Sequence, residues 1–171
     1  MVKNPEVEAK EACPGLLDAA AAEALIRVLG SGYLVSDDGQ AVGAAAMTQA
    51  VQDVHPEPVC LTTGQVGSGS RVGEIRLRPG PLDDTGVGVR VVRRENSRGV
   101  SFDCTSSRIR FGGTLRVTAT FEDQVERGSR DPKLGNDYLV IAHSAARGIA
   151  KELGCQNGGG IPEQVSALPA D

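Results

Sequence analysis

Between residues 59 and 121 the sequence alternates apolar and polar side chains in one short segment after another, and no helical stripe interrupts the series. A period of two places apolar residues on one face of a strand and polar residues on the other. The alternating segments are 59–63, 72–78, 87–91, 100–104 and 115–121. Because no helix separates these strands, the pattern favours an antiparallel meander over parallel βαβ winding.

Amphipathic helices flank this series on both sides. The first begins after Asp18, a good N-cap, and ends at Gly30; the last is capped by Asn136 or Asp137 and ends at Gly154. Each has an apolar stripe with a period of 3.6 residues. We therefore predict an α+β fold: an antiparallel meander sheet of four to five strands with two helices packed on one face, stapled by two disulfides.

The register of one predicted hairpin follows from the same rule. A three-residue loop over 112–114 would place Ile109 opposite Val117 and keep the apolar residues on one face. The apolar positions slip by one residue between Phe102 and Ile109, so the sequence also predicts a bulge or break within 105–108.

Four dispersed cysteines, Cys13, Cys60, Cys104 and Cys155, are expected to stabilise a weak core. The chain has three Phe, two Tyr and no Trp, so its interior must be filled by smaller aliphatic side chains. The absence of a CxxC pair disfavours a zinc ribbon or a redox pair. Two structural disulfides are favoured, and the alternative is four unpaired buried thiols in a cytosolic protein.

Four cysteines allow three pairings, and their spacing alone does not choose among them. Cys13 precedes the first helix and Cys155 follows the last, whereas Cys60 and Cys104 lie on strands. We favour Cys13–Cys60 with Cys104–Cys155, because each pair would tie a helix end to the sheet. Each bridge would contribute about 4 kcal/mol in the chain-entropy model.

We divide the chain into a flexible tether (1–12), a single α+β domain (13–155) and a flexible C-terminal tail (156–171). Within the domain, 33–35 resembles a short strand, and 44–54 resembles a helix with a thin apolar face. Disulfides persist in oxidising compartments, so we expect an extracytoplasmic location, either secreted or membrane-anchored. The sequence contains no signal peptide or apolar span, and we expect the export signal or membrane tether to lie outside these residues.

No catalytic, cofactor or metal motif is recognisable. The glycine-rich segment 64–71 is not a phosphate loop, because Ser70 occupies the position of the required lysine. His143 and Ser144 offer a base and a nucleophile, but adjacent helix residues point about 100° apart and do not meet. We therefore interpret His143 as a structural histidine, and we predict no cofactor and no metal.

Charge is unevenly distributed along the chain. Residues 1–57 have a balance of −6, residues 71–116 of +5 and residues 117–171 of −3, consistent with the total of −4. The arginines predicted on the sheet face opposite the helices are Arg76, Arg78, Arg90, Arg110 and Arg116. Such a face would bind an anionic polymer, lipid headgroups or an acidic protein. The alternative is that these arginines only keep a solvent-exposed sheet face soluble. Nucleic acid is not predicted, because the chain is acidic overall and lacks interleaved aromatic residues.

Several short motifs together resemble one group of proteins. They are Cys13-Pro14-Gly15-Leu16-Leu17-Asp18, Val59-Cys60, Phe102-Asp103-Cys104, Ala142-His143-Ser144-Ala145-Ala146-Arg147 and Glu152-Leu153-Gly154-Cys155. The chain looks like uncharacterised exported proteins of high-GC actinomycetes, which are anchored by one N-terminal helix or as lipoproteins. The resemblance implies an extracytoplasmic location and no activity.

The leading hypothesis is a non-enzymatic extracytoplasmic domain that binds a partner protein or an anionic envelope component. One alternative is a small secreted hydrolase or transferase that uses His143 as its base. Another is the sensor ectodomain of a membrane protein.

Overall fold

The alternating segments form a single antiparallel sheet in the computed structural model, which describes residues 6–30, 33–36, 43–53, 59–66, 69–80, 88–109, 113–124 and 132–169. The strands are β1 (Glu6–Glu8), β2 (Tyr33–Ser36), β3 (Val59–Val66), β4 (Gly69–Gly80), β5 (Arg90–Arg94), β6 (Ser97–Thr105) and β7 (Thr114–Gln124). The helices are α1 (Ala9–Ala12), α2 (Ala19–Leu29), α3 (Ala44–Asp53) and α4 (Gly135–Leu153). The α+β class and the antiparallel sheet are confirmed, and the two short strands β1 and β2 extend the five longer ones.

The strand order is β1-β2-β3-β4-β7-β6-β5. Strands β5, β6 and β7 form a meander, and β3 and β4 form a hairpin. The two units join through β4 and β7, so β7 rather than β5 lies beside β4. The sheet therefore differs from one continuous meander, because β4 and β5 are consecutive in sequence but lie three positions apart in the sheet.

The core lies between the sheet and the long helices α2 and α4. The buried side chains that the long strands contribute to it include Ile75, Leu77, Val100, Phe102, Val117, Ala119 and Phe121. Helix α2 has the expected cap, since Asp18 Oδ1 accepts a 2.8 Å hydrogen bond from the Ala21 amide. Helix α4 begins at Gly135, one to two residues before the predicted caps, and each helix ends at a glycine with positive φ, Gly30 at 72° and Gly154 at 68°.

The predicted hairpin register is wrong, although the predicted break is confirmed. In the structure Phe102, not Ile109, lies opposite Val117. Strand β6 ends at Thr105, and the Ser106 hydroxyl donates a hydrogen bond to the Leu153 carbonyl. The chain therefore turns toward the end of α4, and Ile109 is buried beyond the strand.

Both disulfides join the pairs of cysteines that we favoured from the sequence. Cys13 is bonded to Cys60, with their Cα atoms 6.1 Å apart, and Cys104 is bonded to Cys155, with a Cα separation of 4.9 Å. Each bridge ties a helix-flanking segment to a strand. The helix predicted over 44–54 is also present, as α3.

The predicted domain boundaries need correction at both ends. Strand β1 pairs with β2, and Ala9 and Ala12 are buried, so the interpretation of 1–12 as a tether fails for 6–12. These small side chains fit closely packed positions, which composition does not reveal. Of the predicted tail, residues 156–171, the described part 156–169 packs on the domain through Ile161 and Leu168. In the described part of the chain, no helix combines the length and apolar character needed to cross a membrane.

Candidate functional site

The sheet face opposite the helices carries rows of polar side chains that run across four strands. Paired positions share a face, so register defines each row. One row is Arg78, Thr118, Ser101 and Arg90; the next is Arg76, Thr120, Gly99 and Val92; the third is Glu74, Glu122, Ser97 and Arg94. In the first two rows, long side chains from β4 therefore flank short side chains from β7 and β6, whereas Glu122 on β7 is a long side chain in the third row.

These rows enclose a concavity of about 260 Å3, which we call the arginine-rimmed groove. Its rims include Arg76 and Arg78 on β4 and Arg94 on β5, and its floor includes Ser97, Gly99, Thr118 and Thr120. Two carboxylates, those of Glu74 and Glu122, also line it. Gly99 keeps the floor deep, because a Cβ atom there would lie 3.0 Å from Thr120 Oγ1. Beside the groove, the Thr118 hydroxyl donates a 3.0 Å hydrogen bond to Ser101 Oγ.

The predicted arginines fall into three groups. Arg78 and Arg90 are exposed on this face, as expected. Arg76 lies on it but is paired with Glu74. Arg116 is 8% exposed, because its guanidinium donates to Asp103 Oδ1 and to the Gly88 carbonyl, each at 3.0 Å. Arg110 lies outside the described residues.

Sequence reasoning missed Arg94, which is exposed and lines the groove. The sequence could have identified Arg94, because it is four residues after Arg90 on the same strand and therefore shares its face. The carboxylate of Glu74 is buried, and its charge is balanced locally. It accepts hydrogen bonds from Arg76 and, at 2.7 Å, from Gln124 Nε2. Arg78 and Arg94 thus bring positive charge to the two rims, and Glu122 places one exposed carboxylate between them.

His143 and Ser144 do not form a base–nucleophile pair. His143 is buried, and its Nε2 lies 2.7 Å from the Pro162 carbonyl oxygen. The Ser144 hydroxyl donates to the Leu16 carbonyl at 2.8 Å and accepts from the Asp18 amide at 2.9 Å. Both side chains therefore fix backbone segments that lie on α4.

A second buried polar cluster lies on the helix-facing side of the sheet. Asp123 is fully buried and accepts hydrogen bonds from Arg71 and from the Tyr138 hydroxyl. Burial, reinforced by the bond to Asp123, raises the pKa of Tyr138. The hydrogen bond and the charge of Asp123 raise the pKa of Arg71. This cluster is closed and satisfied, which indicates a structural role.

Within the described ranges, no three His, Cys, Asp or Glu side chains are grouped closely enough to hold a metal ion. No protein-family model matches the chain, and neither a curated protein nor a solved structure matches it.

Proposed function

We propose that this protein is an extracytoplasmic, disulfide-stabilised binding domain that holds an anionic polysaccharide of the cell envelope in its arginine-rimmed groove. The observation that carries the proposal is the arrangement of arginines on β4 and β5 around a floor of small hydroxyl side chains. Two disulfides support the location, because such bridges persist in oxidising compartments.

The dimensions of the groove suit an extended polymer. Three interstrand steps separate β4 from β5, so opposite rims lie about 14 Å apart at their Cα atoms. The distance along a strand from the row of Arg78 to that of Glu74 is about 13 Å. A short stretch of polymer laid along the strands would meet arginine side chains on both sides.

The chemistry of the lining favours an anionic sugar polymer. Guanidinium groups such as those of Arg78 and Arg94 bind carboxylates or phosphates in a bidentate geometry. The hydroxyls of Ser97, Thr118 and Thr120 can exchange hydrogen bonds with sugar hydroxyls. The described lining contains no aromatic ring, so it offers no stacking surface for a nucleobase.

Isothermal titration calorimetry tests this proposal with polygalacturonate and poly(glycerol phosphate), which carry carboxylates and phosphates respectively. Neutral dextran is the uncharged control. We expect saturable binding of polygalacturonate, which has both sugar rings and carboxylates, weakened by added salt, and none of dextran. Replacing Arg78 and Arg94 together by Gln should weaken binding at least tenfold, as expected for lost charge-assisted hydrogen bonds.

Arg93→Gln is the matched control, because Arg93 is exposed on the same strand as Arg94 but faces the other side of the sheet. It should change affinity by less than about twofold. Equal losses in the two variants, or no saturable binding of polygalacturonate, would overturn the proposal. Binding of poly(glycerol phosphate) alone would also overturn it, because that polymer contains no sugar. Binding of polyglutamate alone would instead assign the groove to an acidic protein partner.

A further inference from the structure

A second concavity, of about 710 Å3, lies along α4 on the other side of the molecule from the groove. We call it the α4 cleft. One wall is the segment 13–18 that precedes α2, and the other is the segment 155–163 that follows α4. The side chains that matter here are Leu17, Asp18, Arg147, Lys151, Ile161 and Glu163.

The first wall is held rigidly although it has no regular secondary structure. Its start is fixed by the Cys13–Cys60 bridge, and Ser144 bonds both the Leu16 carbonyl and the Asp18 amide. At Gly148 the wall touches α4 directly, since a Cβ atom there would lie 2.1 Å from the Gly15 carbonyl oxygen. Only glycine permits this approach.

The second wall is fixed by separate anchors. Cys155 is bonded to Cys104, and His143 Nε2 contacts the Pro162 carbonyl oxygen at 2.7 Å. Between these anchors the backbone takes a left-handed turn that begins at Asn157, with φ 55°, the one residue other than glycine with positive φ in the described part of the chain. Backbone in that region is strained and persists when its surroundings impose it.

The cleft carries two cations on α4 and one carboxylate on each wall, and Arg147 Nη1 donates to the Glu163 carbonyl oxygen at 3.4 Å. Arg147 and Lys151 lie one turn apart on α4, and both are exposed. Each wall contributes one carboxylate, Asp18 on the first and Glu163 on the second. A purely anionic ligand would be repelled by these carboxylates, whereas a zwitterion can satisfy both signs.

We infer that the α4 cleft binds short peptides with free amino and carboxyl termini. The peptide carboxylate would bind Arg147 and Lys151, and its ammonium group would bind Asp18 or Glu163. Ile161, which is half-buried, provides a small apolar surface for a side chain. The volume lies within the usual range for small-ligand sites, and the anchored walls lower the ordering cost of binding. This inference does not depend on the function proposed for the groove.

Calorimetric titration with trialanine and trileucine tests the inference, together with their N-acetylated and C-amidated forms. We expect at least one free tripeptide to bind saturably, and each blocked terminus to weaken binding about tenfold, as for one lost charge-assisted contact. Replacing Arg147 and Lys151 by Gln should weaken binding of the free peptide about tenfold. The same substitutions should have little further effect on the amidated peptide, which lacks the carboxylate.

The control variant is again Arg93→Gln, which should leave peptide affinity within about twofold. All these side chains are exposed, and circular dichroism checks that each variant is folded. Absence of saturable binding by both tripeptides would overturn the inference. Equal affinity for free and capped forms, or equal effects of the cleft and control variants, would also overturn it.

Discussion

The hydroxyl of Tyr138 donates a hydrogen bond to Asp123 Oδ2, joining the first turn of α4 to the helix-facing side of β7. The same carboxylate accepts from Arg71 on β4, at 3.0 Å between Nε and Oδ1. The rings of Tyr138 and Phe121 lie with their centroids 5.6 Å apart. One buried carboxylate thereby links a helix to two neighbouring strands.

The stability of the protein should fall at alkaline pH partly because of Tyr138. Its raised pKa means that the folded state keeps the phenol proton at pH values where the unfolded chain loses it. Its contribution is therefore complete below pH about 10, the ordinary tyrosine pKa, and declines as pH rises above it, by at most about 1.4 kcal/mol per pH unit. Urea denaturation between about pH 8 and pH 11 measures this slope.

Tyr138→Phe should reduce that alkaline slope relative to the wild type. The Tyr138 variant should also lose about 1 kcal/mol at neutral pH, because Asp123 loses a donor. Identical alkaline slopes in the wild type and Tyr138→Phe would contradict the assignment.

Asp123→Asn should lower the free energy of unfolding by on the order of 3 kcal/mol. The Arg71 side chain, only 18% exposed, would remain partly buried without its counter-charge. Glu122→Gln is the control, since Glu122 is adjacent and exposed, and a change of less than about 0.5 kcal/mol is expected. Urea denaturation of both variants at neutral pH measures the difference. Equal effects would mean that the buried pair contributes no net stability.

The parts of the fold that local burial determines could be predicted from the sequence. The alternation in 115–121 gave the correct buried face of β7, because a shift by one residue would expose all its apolar side chains. Gly30 and Gly154 end their helices in the left-handed region that glycine favours. The cysteine pairing was predictable in part, since joining the flank of a helix to a strand excludes Cys13–Cys155 with Cys60–Cys104 but is met by both other pairings.

Features that depend on contacts distant in sequence could not be predicted. The pairing of β4 with β7 brings together segments separated by two other strands. Strand β6 ends where Ser106 binds the Leu153 carbonyl, and no local pattern identifies that acceptor. Glycines 158–160 suggested flexibility, but each adopts positive φ, and a Cβ at Gly159 would lie 2.6 Å from Phe102.

The candidate site was only partly predictable for the same reason. Arg78 and Arg90 were placed correctly because strand parity alone determines their face. Arg116 shares that parity but is buried against Asp103, a pairing that becomes evident only when the register of β6 and β7 is known. The role of His143 depends on Pro162, within a segment that composition assigned to a tail.

Gly148→Ala should destabilise the protein, although alanine is the better helix former. Propensity favours alanine by about 1 kcal/mol in a helix interior. The new Cβ would lie 2.1 Å from the Gly15 carbonyl oxygen, and such overpacking costs about 1–3 kcal/mol. Gly113→Ala is the control, because no atom lies within 4 Å of its Cβ position. Thermal denaturation showing a more stable Gly148→Ala variant would contradict the close approach of the first cleft wall.

Replacing His143 by Ala should loosen the second cleft wall. The substitution removes the hydrogen bond to Pro162, at a cost of about 1 kcal/mol, and leaves space at a buried position. Limited proteolysis should then cleave within 156–169 faster than in the wild type. Arg108→Ala provides the comparison, because Arg108 donates to the Glu152 carbonyl before the segment begins. Unchanged cleavage within 156–169 would mean that the disulfide and apolar contacts hold the wall without His143.

Removing the disulfide that begins this wall should have a larger effect. Cys104 and Cys155 are separated by 51 residues, and a loop of that length contributes about 4 kcal/mol in the chain-entropy model. Cys104→Ser/Cys155→Ser should lower the free energy of unfolding by that order. Cys13→Ser/Cys60→Ser, which opens a similar separation of 47 residues, is the matched comparison.

Thiol counting and peptide mapping of unreduced protein establish whether both bridges are present before any variant is compared. Four free thiols in protein prepared without reductant would remove both the stabilisation and the support for an extracytoplasmic location, because the bridges would then be absent from the native protein.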